Sequence, residues 1–490
     1  MKKLIALLLA LIMVLGLVAC GNTEAPADEP AEEPAEEREH VTLRFVSRIN
    51  EQPDEATVFA AFNEYCEEKL NTTVEWEFLG GTFADKVSVM INSGEEYDAV
   101  WTSSWQNDYA TNVARGAYVD ITDMLADFPE LYACMPEGFW DATRIEGRIY
   151  AVPCQQIAAR TPAISTVAEY AEAFGLTHET QTELHTIGDF EEYLQFCLDN
   201  YGARSSGIEE ASIGEYTGYE FLAGHQSAAA IKYDDATCTV INFYETEEFK
   251  AMCLELRDLF NTGLIDAAAY NDTDYKRAET ISGRNSLFIG GCFKPGGEIE
   301  DSVNYGIDLW QTPQGTSMLS TSGIIATMWS ISSTSQHPDR ALEVLAMMST
   351  DEYAMNLMSY GIQDVHYSLD ADGFASVIDN AGYNPAQSWS LGNVFLTHPT
   401  VGQPADVWVE TAKVNAEAQV SQLIGFTADI TPVEAEVTNC TSAFEEYKIL
   451  LSGSVDVDEY LSAFLAKLEA AGVDALIAEM QAQVDAFLGK

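Results

Sequence analysis

The chain has 490 residues, 47% of them apolar and 11% aromatic, and carries a formal charge of −54 from 78 acidic against 24 basic side chains. That much apolar material over that length supports two or three globular units and excludes a wholly disordered polyanion. So acidic a surface repels nucleic acid and anionic lipid headgroups, which removes both as partners, and it favours a soluble monomer.

In chain order the first feature is Lys2 and Lys3, an apolar run from Leu4 to Val18, and Ala19-Cys20-Gly21. A basic start, a short hydrophobic stretch and a small residue before the cut predict a signal peptide over residues 1–19. The run is shorter than the roughly 20 residues a comfortable span needs. Leu17-Val18-Ala19-Cys20 resembles the bacterial lipobox, so Cys20 is expected to be diacylated and to become the first mature residue. Pro26, Pro30 and Pro34 lie among acidic residues, which predicts a disordered tether over residues 20–40.

From Val41 the hydrophobic period switches repeatedly. Val41, Leu43 and Phe45 alternate as in a strand, Val58, Phe62, Cys66 and Leu70 recur as on a helix, and Val74, Trp76 and Phe78 alternate again. Phe83, Val87, Met90 and Ile91 predict a second helix ended by Gly94, and Tyr97 to Trp101 a third strand. This alternation predicts a layered α/β domain with parallel pairing, whose ligands bind at the carboxyl ends of the strands. Farther on, Asp189 is the expected N-cap of a helix carrying Phe190, Tyr193, Leu194 and Cys197, and Phe249 to Phe260 form a stripe closed by Gly263. Pro338 is expected to open another helix, and residues 457–488 read as two helices broken at Gly472.

Eight cysteines besides Cys20 show neither C-x-x-C nor a short repeat, which favours buried free thiols over a disulfide framework. Nucleotide-loop, metalloprotease and nucleophile-elbow motifs are absent, and no two of the seven histidines stand four apart. No metal, cofactor or catalytic residue is therefore expected, although two of the many carboxylates could still serve a glycoside hydrolase that no local motif would mark. Ser368 to Gly373, with Asp379, imitates a calcium loop but lacks its first Asp and last Glu, so a hairpin turn is the expectation.

Aromatic and neutral polar side chains beside turns are the better signal. Trp101 ends the third strand and is followed by Ser103, Ser104, Trp105, Gln106 and Asn107. A flat indole stacks on the apolar face of a sugar ring, and neutral donors and acceptors meet its hydroxyls. The expected ligand-binding set is Arg48, Trp101, Ser103, Trp105, Gln155, Gln156, Trp329, Tyr367 and Trp389, with Pro153 as hinge.

Tyr97-Asp98-Ala99-Val100, Gly116 to Ile121, Ile145 to Pro153, Phe249 to Asp266, and His337-Pro338-Asp339-Arg340-Ala341 follow one another along the chain. Their order resembles the extracellular solute-binding proteins of bacterial ABC importers, of the family 1 type and the large lipoprotein kind associated with carbohydrate uptake. Tyr360-Gly361-Ile362, His366-Tyr367, and Trp389 with Gly392 to Phe395 are similar to a subgroup with an additional C-terminal domain of unknown function.

The resemblance implies a two-lobed periplasmic-binding-protein-like α/β fold of type 2, with an interlobe cleft and crossing hinge segments. Residues 41–153 would begin lobe I, 154–328 would be mainly lobe II, and 329–490 would hold returning segments and the additional C-terminal region. It further implies capture of a sugar or oligosaccharide and its delivery to ABC permease subunits by a non-catalytic receptor held at the outer face of the membrane by its lipid alone. Lys294 in Gly291-Cys292-Phe293-Lys294-Pro295-Gly296 faces either the cleft or a plain turn. A surface glycoside hydrolase and a solute sensor feeding a signalling partner are the alternatives.

Overall fold

The computed structural model describes residues 38–490, so the expected leader, Cys20 and nearly all of the tether lie outside the described residues. Residues 40–490 form one compact unit with two large hydrophobic cores.

The first core is built on a five-stranded sheet ordered Thr72–Phe78, Val41–Ser47, Ala99–Thr102, Met328–Ile331, Val152–Pro153. Its first three strands run parallel, as the alternating pattern predicts, and Met328–Ile331 returns antiparallel to both of its neighbours. The helix Glu55–Leu70 buries Val58, Phe62 and Cys66, and Phe83–Ser93 buries Phe83, Val87 and Met90 before stopping at a left-handed Gly94. A short hairpin, Arg144–Ile145 against Arg148–Ile149, leads into the strand at Pro153 from which the chain leaves this core.

The second core surrounds a four-stranded sheet ordered Leu309–Pro313, Ala163–Val167, Asn285–Gly290, Arg204–Ile208. The expected N-cap at Asp189 is displaced. Thr186 caps a short 3₁₀ turn, Ile187–Phe190, through a reciprocal box in which Asp189 is the third residue, and the helix Glu191–Tyr201 continues from it. A Thr with an acidic residue three positions on satisfies two terminal N–H groups, which Asp189 as cap would leave to one.

The C-terminal helices Glu434–Tyr447, Val457–Ala471 and Val473–Phe487 pack on the second core. Tyr244 is buried there with ring centroids 5.0 Å from Phe249, 5.8 Å from Phe444 and 4.8 Å from Phe464. Gly453 explains how closely this region approaches the helix Glu247–Asn261: it has φ +70°, and a Cβ there would lie 2.3 Å from the Leu256 carbonyl oxygen. Gly472, at φ +93°, divides the last two helices where the pattern places the break.

Three chain passages run side by side between the cores. The Arg160 and Met318 backbones exchange hydrogen bonds at 2.7 and 3.0 Å, Met318–Leu319 pairs in parallel with Gln419–Val420, and Asn415 Oδ1 accepts from the N–H groups of Ala158 and Ala159.

The third passage is also tied to the second lobe, because Ser421 Oγ donates to Glu220 Oε2 at 2.5 Å. Burial pushes the Glu220 carboxyl up to about 7, the Ser421 bond opposes this, and nearby Glu215 adds to it. The folded chain therefore holds a proton that the unfolded chain releases above the ordinary value of 4.5. This contribution is fully present below 4.5 and is lost as pH rises through about 7. Glu220→Gln is expected to flatten the fall in melting temperature between pH 5 and pH 8. Equal falls for the two proteins would refute this.

The eight cysteines are free, six of them buried. Residues Tyr367–Leu369 and Ala375–Val377 form the expected hairpin, with Asp370 Oδ1 accepting from the Asp372 and Phe374 N–H groups. Among the described residues no helix is long and apolar enough to cross a membrane.

Candidate functional site

The strand Val41–Ser47 ends beside the carboxyl end of Ala99–Thr102, and the side chains that follow both strands meet there. The Arg48 guanidinium carbon stands 5.2 Å from the Trp101 ring centroid, 5.0 Å from Trp105 and 5.1 Å from Trp389. Trp101 meets Trp105 edge to face at 5.4 Å and Trp389 at 6.3 Å. Four of the expected residues are thus brought together from segments some 340 positions apart in the chain.

Their exposure sorts them. Trp101 is fully buried, its indole N–H donating to Thr327 Oγ1 at 2.8 Å, so it forms the floor. Trp105 is 55% exposed and held by its indole N–H on the Ala326 carbonyl at 2.8 Å, which leaves an indole face toward solvent. Arg48 donates to two neutral amide oxygens, Gln106 Oε1 at 3.1 Å and Gln387 Oε1 at 3.0 Å, and burial lowers its pKa.

Gln387 also lines a cavity of about 520 Å³. Asn50, Pro385, Ala386 and Gln387 form its wall on the first lobe, and Arg277, Asp301, Asn304 and Tyr305 face them from the second. Arg277 lies over the Tyr305 ring at 5.2 Å and donates to the Asn304 carbonyl at 3.0 Å. Burial raises the Asp301 carboxyl, and the Gln311 amide donates to it at 2.6 Å, which opposes the rise.

Other expected residues are placed elsewhere. Ser103 is buried, its hydroxyl accepting from the Trp105 and Gln106 N–H groups, so it shapes the loop and does not line the cavity. Trp329 pairs in register with Trp101 but is only 2% exposed, packed on Phe45 and Trp76 with its N–H on the Ser390 carbonyl; it belongs to the first core. Tyr367 is buried in a small cluster with Tyr360 and Ala375. Gln155 and Gln156 sit on the first passage, their carbonyls accepting from Val394 N and Asn415 Nδ2, and buried Pro153 pairs with Met328 where that passage begins. Lys294 is ion-paired with Glu300 at 2.5 Å.

The architecture of two α/β cores, joined by three passages with a cavity between them, has close parallels. A crystal structure of the N-glycan transport solute binding protein NgtS from Streptococcus pneumoniae superposes with a TM-score of 0.81 at 20% identity, covering 92% of this chain and 99% of that one. The chain has the two-lobed solute-binding-protein fold. The same fold is seen in NgtS holding Man1GlcNAc, at TM-score 0.76, 19% identity and 92% and 100% coverage. A third example is an HMO binding ABC-transporter associated solute binding protein from Bifidobacterium longum infantis, at 0.62, 13% identity and 91% and 99% coverage.

In sequence, the chain is 23% identical to a carbohydrate ABC transporter substrate-binding protein of Streptococcus pneumoniae serotype 4, covering 96% of this chain and 95% of the relative. Residues 422–489 match a domain of unknown function, DUF3502, and they include the last two helices on the second core.

Proposed function

We propose that this protein is a non-catalytic receptor that captures an oligosaccharide between its lobes and presents it to the permease subunits of an ABC importer. In the same reading it works outside the cytoplasm, anchored through a diacylated Cys20, as a monomer. The observation that carries the reading is the tryptophan-walled end of the first sheet, with an exposed indole at Trp105 against Arg48, which is bonded to Gln387 of a cavity lined by amides from both lobes and by Arg277 from the second. Such a wall offers the stacking surface and the neutral donors a glycan uses. The relatives named for carbohydrate and N-glycan transport point the same way. A solute touching both walls favours the closed arrangement through contacts the open one lacks, and the permease would read that closure.

Asp301 is the acidic residue lining the cavity, and its carboxylate is engaged by Gln311. Glycoside hydrolysis ordinarily needs two carboxyl groups across the scissile bond. The test is a tryptophan-fluorescence titration with mannose–GlcNAc and milk-type oligosaccharides, paired with product analysis. A saturating change at one glycan per chain, with the glycan recovered intact, is expected. Turnover abolished by a single carboxylate substitution would overturn the receptor reading in favour of a hydrolase.

A further inference from the structure

We infer that the captured solute carries a carboxylate and that Arg48 receives it, so the site selects an acidic sugar over its neutral counterpart. This rests on the glycan-capture reading above. The starting point is the company Arg48 keeps. Four residues earlier, Arg44 is ion-paired with Glu77 and Glu95 at 2.7 Å each, and Arg148 in the hairpin is paired with Asp120 and Asp123. Carboxylates are plentiful in a chain with 78 acidic and 24 basic side chains, and among the described residues arginines that lack one, such as Arg204 and Arg257, rest on backbone carbonyls. Arg48 does not: its acceptors are the side-chain oxygens of Gln106 and Gln387, and its Nη2 has no acceptor among the described residues.

The guanidinium is nevertheless half-buried, with three indole rings around it. Indole faces and amide dipoles offset part of the lost hydration of a cation, and they supply no counter-charge. Its lowered pKa has the same physical origin, burial without a compensating anion. A carboxylate on the solute would supply the missing charge through charge-assisted bonds, about twice as strong as neutral ones, to the N–H groups left unused. A neutral hexose would fill the donors and leave the charge unbalanced.

The surroundings agree with this assignment. Gln387 presents its carbonyl oxygen to Arg48 and also lines the cavity, so a solute in the cavity lies one side chain away from the guanidinium. From the opposite wall Arg277 offers a second cation, stacked on Tyr305 and bonded to a backbone carbonyl. The cavity's own carboxyl, on Asp301, accepts from the Gln311 amide, and its burial disfavours the charged form that would repel an acidic solute.

The experiment is isothermal titration calorimetry of the full chain with matched pairs of acid and methyl ester: trigalacturonate, a hyaluronan tetrasaccharide and sialyllactose, together with neutral mannose–GlcNAc oligosaccharides. At least one acid is expected to bind about tenfold or more tightly than its ester. Arg48→Gln should bring that ratio close to one, and Arg48→Lys should restore part of it. Should Arg48→Gln fold poorly, the acid-to-ester ratio of the unchanged chain and of Arg48→Lys decides. Binding of neutral glycans with no acid preference, or a preference that survives Arg48→Gln, overturns this inference and leaves glycan capture standing. No binding by any of the glycans overturns both.

Discussion

Trp105→Ala is expected to weaken glycan capture by roughly 30-fold, about 2 kcal/mol, while leaving the melting temperature almost unchanged. The asymmetry follows from exposure. The indole is 55% exposed and contacts the rest of the first lobe through one N–H bond to Ala326, the edge of Trp101 and the Arg48 guanidinium. Removing it takes little from the core, and exposed substitutions of this kind usually stay within about 0.5 kcal/mol. It takes from the solute the broad face on which a sugar ring would stack, and it opens one side of the enclosure around Arg48. Titration of both proteins with the same oligosaccharide, beside thermal melts, checks the two halves. Undiminished affinity would remove Trp105 from the binding wall, and a large drop in melting temperature would show it to be part of the fold.

Trp329→Ala is expected to do the reverse, destabilising the first lobe by about 3–5 kcal/mol and leaving the affinity of the remaining folded protein close to that of the parent. Its ring packs 5.8 Å from Phe45 and 5.9 Å from Trp76, and its N–H satisfies the Ser390 carbonyl, so truncation leaves both a cavity and an unpaired buried acceptor. Denaturant melts followed by a probe in the first lobe measure the loss. A loss below about 1 kcal/mol would contradict the core placement.

These two tryptophans also show what was legible in the chain. Period-two and period-3.6 patterns predicted the strands at Val41–Ser47 and Thr72–Phe78 and the helices around Phe62 and Val87, because burial on one face imposes that spacing locally. The same logic placed the breaks at Gly94 and Gly472. It could not say which aromatic beside a strand end turns outward. Trp101 and Trp329 are cross-strand partners at the sheet's centre, and both are buried. Exposure begins four residues beyond Trp101, where the chain has left the sheet.

Ser103 misleads for a related reason: a short hydroxyl after a strand is as useful to the turn's own N–H groups as to a ligand. The second wall carried no local signal. Arg277 and Tyr305 lie on separate helices and reach the cavity only after the second sheet has formed, so no spacing relates them to Asn50 or Gln387.

The three passages between the lobes have a mechanical consequence. Strips that lie side by side, with backbone hydrogen bonds between Arg160 and Met318, from Gln419 N to the Ser317 carbonyl and from Ser421 N to the Leu319 carbonyl, fold together like the cloth of a book's spine. Flexing along the spine preserves those bonds, whereas twisting or sliding one cover past the other would shear them. In the proposed receptor, lobes joined this way would close mainly by bending along the spine, and the angle between the covers would be what a partner reads.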